Sequence, residues 1–103
     1  MVVVDRPVAV PDDVDRSPKR TGVVVLPHHI AWSGRDRPYD LSDHRDAVSL
    51  YEQVLREGTD DDVCALIDVD RLLELWNELV LPTPVRLAWA VWFRERRGVE
   101  LAC

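Results

Sequence analysis

Between Tyr51 and Gly98 the chain is punctuated so closely by helix stops and caps that it can build little except short helices packed on one another. Glu57-Gly58-Thr59 ends one helical pattern and caps the next; Leu81-Pro82-Thr83-Pro84 ends another and caps the last. Glycine accepts the left-handed conformation that closes many helices. Proline lacks the amide that a helix interior needs but suits a first turn. Such spacing leaves no room for a long catalytic loop.

The apolar periodicity fills in the elements. Asp40 or Ser42 is expected to cap a helix over 42–57, where Ala47, Val48, Leu50, Tyr51, Val54 and Leu55 recur at three- and four-residue spacing. Thr59 should cap a short helix over 60–67, with Asp62 at the capping-box position, burying Val63, Leu66 and Ile67. Asp68 caps the third, whose stripe runs through Val69, Leu72, Leu73, Trp76, Leu79 and Val80. Thr83 caps the fourth and Gly98 ends it. The fold class read from this pattern is all-α: a compact domain of about four helices with a tryptophan-rich core, preceded by an extended N-terminal arm.

Residues 1–22, with Pro7, Pro11 and Pro18 among scattered charges, read as a flexible arm, and 23–103 form a single helical domain. Val2–Val4 and Val23–Leu26 are β-prone and either pair as a ribbon or serve as anchoring valines in an extended arm. Pro27, Gly34 and Pro38 exclude a long helix in the connection, although His28–Trp32 can make one turn. Trp32 is expected to fold back as a lid on the helices.

Charge is unevenly placed in this chain of net charge −6: residues 57–78 carry eight acids against Arg71 alone, whereas 86–97 carry four arginines against Glu95. The overall sign argues against non-specific nucleic-acid binding, with the basic last helix a local exception. Two cysteines form no disulfide framework, nothing resembles a secretory signal, and no apolar run approaches the roughly 18 residues of a membrane span. The expectation is a soluble, cytoplasmic protein with no membrane partner.

Chemistry-bearing constellations are weak. Asp60-Asp61-Asp62 with Asp68 and Asp70 sits in the first turns of two helices, where acids complement the dipole and point in divergent directions. His28-His29, His44 and a cysteine lack the paired spacing of a zinc site. Cys64 beside Val63 reads as a small core residue. No nucleophile elbow and no glycine-rich phosphate cradle is present. Neither an enzyme nor a metal or other cofactor is expected.

The fourth helix is unusual. At 100° per residue, Val85, Ala88, Trp89, Trp92 and Phe93 gather on one face, yet Leu87 and Val91 lie on the opposite one, and Leu75 widens the stripe of the third helix. Either the N-terminal segment covers this second apolar patch or another chain does. Leu75, Leu87 and Val91 are therefore the candidate apolar contacts to a partner protein. Asp60, Asp61, Glu74 and Glu78 would add charge complementarity. A helix-turn-helix-like DNA-binding regulator is the alternative, with Arg86, Arg94 and Arg97 as candidate DNA contacts.

From Val25 onward the chain resembles small uncharacterised actinobacterial helical proteins. The resemblance rests on Leu26-Pro27-His28-x-Ile30-x-Trp32-Ser33-Gly34, Tyr39-Asp40-Leu41, Tyr51 to Thr59, and Leu75-Trp76-x-x-Leu79-x-Leu81-Pro82 with Val85-Arg86 and Trp89. That group is distantly similar to short proteins encoded beside AbiEii-like nucleotidyltransferase toxins. The likeness spans about three-quarters of the chain and carries no catalytic residues. It implies an antitoxin, or a regulator of a toxin–antitoxin pair, whose partner is the cognate toxin.

Overall fold

The computed structural model describes residues 8–30 and 37–101. The order of elements is β1 (Val23–Val25), β2 (Pro38–Asp40), α1 (His44–Glu57), α2 (Asp60–Leu66), α3 (Val69–Leu75) continued by a 3₁₀ turn at Trp76–Glu78, and α4 (Thr83–Arg97). The fold is helix-dominated, but it is not purely all-α. The two strands form a small antiparallel sheet in which Val24 faces Tyr39. Val23–Val25 pairs with residues 38–40; Val2–Val4, its expected partner, and Trp32 with its expected lid lie outside the described residues. Three-residue strands bury one side chain each, Val24 and Tyr39, and this central residue locks the register.

Each helix start has a chemical cause. The Asp43 carboxylate accepts the Asp46 amide at 3.1 Å, so the cap stands one residue beyond the expected Ser42 and α1 begins at His44. Asp46 then reaches back, accepting the Asp40 amide at 2.9 Å and Arg37 at 3.1 Å, which ties β2 to the helix. Thr59 and Asp62 form the reciprocal capping box of α2, and Asp68 accepts two first-turn amides of α3. α4 departs from expectation: Thr83 is its first residue, Pro82 stands at the cap, and no side chain bonds the first turn.

The stops differ too. Gly98 is left-handed at φ 64°, as a helix-closing glycine should be. Gly58 is not; its backbone is extended, and a Cβ there would stand 2.6 Å from the Val54 carbonyl oxygen. Glycine is needed at 58 for close approach to the end of α1, not for its sign of φ.

The core is one cluster in which Trp76, Trp89, Trp92 and Phe93 pack together, Trp92 meeting Phe93 edge-on at 5.1 Å. The three tryptophans expected in the core are buried. The indole N–H groups of Trp89 and Trp92 are buried without a partner, so the pair contributes through area and ring contact rather than hydrogen bonding. The described part of the arm joins this core. Val14 is fully buried, the Lys19 ammonium donates to the carbonyls of Val14 and Cys64, and the Arg20 amide donates to the Ala65 carbonyl at 2.8 Å.

Candidate functional site

α4 has two unlike faces. Val85, Trp89, Trp92 and Phe93 are buried against the other helices. One turn apart on the outer edge, Leu87 is 49% and Val91 41% exposed, with half-buried Ala90 between them. A helix can bury only one broad stripe in a domain of this size, and the aromatic side chains take it. The outer pair therefore faces solvent.

Leu75 does not join that edge. It is 1% exposed, packed into the core at the end of α3. Its place as a partner contact is a correction: Leu75 stands three residues after Leu72 and four before Leu79, both buried, so it belongs to the inner stripe of α3. Val80 lies past the end of the helical turn, next to Leu79 in extended backbone where successive side chains point to opposite sides, and it turns outward. It is 74% exposed, although the stripe through Leu79 placed it inside. Val23 and Val25, on the outer face of β1, are exposed apolar residues that helical periodicity could not reveal, because the relevant period there is two.

The acids divide into two groups. Asp60 and Asp61 are exposed in the first turn of α2. Glu74 is already paired with Arg71 at 3.1 Å, and Glu78 accepts from His44 at 2.6 Å. The arginines divide likewise. Arg86 donates to the Leu79 carbonyl at 3.0 Å and stacks 4.6 Å above the Trp76 ring. Arg97 pairs with Asp70 at 3.0 Å, and Arg96 with Asp12 at 3.1 Å. Arg94 is exposed. Two of the three candidate DNA contacts thus bond within their own chain.

A concave feature lies between the arm and the helices. Thr21 and Gly22 from the arm, Leu41 and Ser42 after β2, and Tyr51 of α1 border a cleft of about 320 Å³ closed by Asp68 and Arg71. Burial pushes the Tyr51 phenol up to about 12, although it accepts the Asp68 amide at 3.1 Å. Burial lowers the Lys19 ammonium, with Cys64 and nearby aspartates opposing the shift. The Cys64 thiol is raised by burial, and its Sγ donates to Asp13 at 3.3 Å; it is half-buried under the arm rather than a core residue. Burial would raise Asp62, but hydrogen bonds from His29 and Thr59 outweigh it and hold the carboxyl below its usual range. Among the described residues no three His, Cys, Asp or Glu side chains converge as a metal would require, and no helix is long and apolar enough to cross a membrane.

Comparison with known protein families, curated proteins and solved structures found no match to this chain.

Proposed function

We propose that this chain is a non-enzymatic protein-binding module that uses the outer edge of α4, and that it serves as an antitoxin or regulator within a toxin–antitoxin pair. The observation that carries the binding role is the exposed pair Leu87 and Val91 on a helix whose opposite face is fully committed to the core. The toxin as partner follows from the resemblance of residues 25 onward to proteins encoded beside such toxins. Asp60 and Asp61 supply exposed negative charge on the same small domain, favouring a partner with a basic docking surface and speeding encounter. Arginine pairing inside the chain argues against α4 reading DNA by itself.

Co-expression with the product of the adjacent gene tests this reading. The two chains should elute together on size exclusion, and Leu87→Asp with Val91→Asp should separate them while the helical circular dichroism is kept. Separate elution of the unmodified chains, or a complex indifferent to both substitutions, would overturn it.

A further inference from the structure

We infer that the cleft between the arm and the α1–α3 helices is a binding site for a small aliphatic carboxylate. Its volume of about 320 Å³ stands at the small end of ligand pockets. The bed is apolar, made by Leu41, Ala47, Leu66 and the Tyr51 ring, and Arg20 and Arg71 stand among its lining residues. Lys19 is the third cation there and Asp68 the one acid, so the lining is net positive in a chain of net charge −6. The Lys19 ammonium is bound to two backbone carbonyls and contributes field rather than contact. Arg20 is anchored only through its backbone among the described residues, and its guanidinium is left for a ligand.

The Tyr51 hydroxyl supplies the remaining handle. Its oxygen accepts the Asp68 amide, and among the described residues nothing accepts its own proton. Burial keeps that phenol protonated, so it is a donor throughout the neutral range. One neutral donor and the Arg20 guanidinium over an apolar bed match a planar carboxylate with a short hydrocarbon body, while Arg71, which already donates to Glu74, adds positive charge. Phosphate fits less well. The first-turn amides of α3, which would cradle it, are already taken by Asp68.

Amide-resolved NMR titration of the full chain with 4-methylpentanoate, 4-methylpentanamide and inorganic phosphate distinguishes these chemistries. The carboxylate should give saturable shifts centred on Gly22, Leu41, Ser42 and Leu66, half-saturated at about 1 mM, as expected for so few heavy atoms. The carboxamide should bind at least about tenfold more weakly, since the charge-assisted bonds are lost. Phosphate should give no saturable shift at these amides. Tyr51→Phe should weaken carboxylate binding about fivefold. Should that variant not fold, Arg20→Gln removes an exposed side chain and should weaken binding about threefold. The assignment fails if no shift saturates by about 50 mM. It fails equally if carboxamide or phosphate binds as well as the carboxylate, or if Arg20→Gln binds unchanged.

Discussion

The inner and outer faces of α4 are built from the same fifteen residues and answer to different demands. On the inner face Trp89 and Phe93 are wholly inaccessible and in ring contact with each other and with Trp92. On the outer edge Leu87 and Val91 keep nearly half their surface in water. The contrast teaches that hydrophobic content alone does not locate a core. What locates it is the volume that the other elements can cover, and they cover one face of α4 only.

The largest effect should come from the inner face. Trp89→Ala removes the largest fully buried side chain and should lower unfolding free energy by about 3–5 kcal/mol in urea titration. Val14→Ala asks whether the arm belongs to the same core. Val14 is as inaccessible as Trp89, so the variant should lose roughly 2 kcal/mol. A loss near zero would detach residues 8–22 from the helices. Gly58→Ala should cost about 1–2 kcal/mol, because the added Cβ meets the Val54 carbonyl oxygen at 2.6 Å. Were Gly58 needed only for a left-handed turn, Asn would rescue it; at φ −76° Asn should be no better than Ala.

A smaller effect is expected from acid. The folded Asp62 carboxyl lies below the ordinary value of 3.8, so its stabilising contribution is complete above that pH. It is lost as pH falls through the lower folded value. Asp62→Asn should therefore flatten the loss of stability below about pH 4, measured as thermal midpoint against pH.

How much of this was legible beforehand follows from which physical signal each residue carries. Thr59 with Asp62, Asp68 before Val69, and Gly98 after Arg97 are local signals, and local chemistry decided them. Trp76, Trp89 and Trp92 followed from helical spacing. Leu75 shares the spacing of Leu72 and Leu79 and belongs to the same inner stripe; Val80 escapes that spacing because the helical turn has ended and the backbone at Leu79 is extended. The β1–β2 pairing was hidden for another reason. Its strands are three residues each and fifteen apart, too short for alternation to register and paired only through tertiary context. Of the candidate site, Leu87 and Val91 were readable from the helical wheel. The cleft was not, since its lining comes from five separate parts of the chain. The occupation of Arg86 and Arg97 was equally invisible, because their partners are the Leu79 carbonyl and Asp70.

The most direct test of the two-faced helix is the urea midpoint of the double variant Leu87→Asp, Val91→Asp. Surface substitutions away from the core change stability by about 0.5 kcal/mol or less each, so the midpoint should remain within about 1 kcal/mol of the unmodified chain. A loss of several kcal/mol, comparable with Trp89→Ala, would mean that the outer edge is covered by the chain itself and that α4 has no free face to offer a partner.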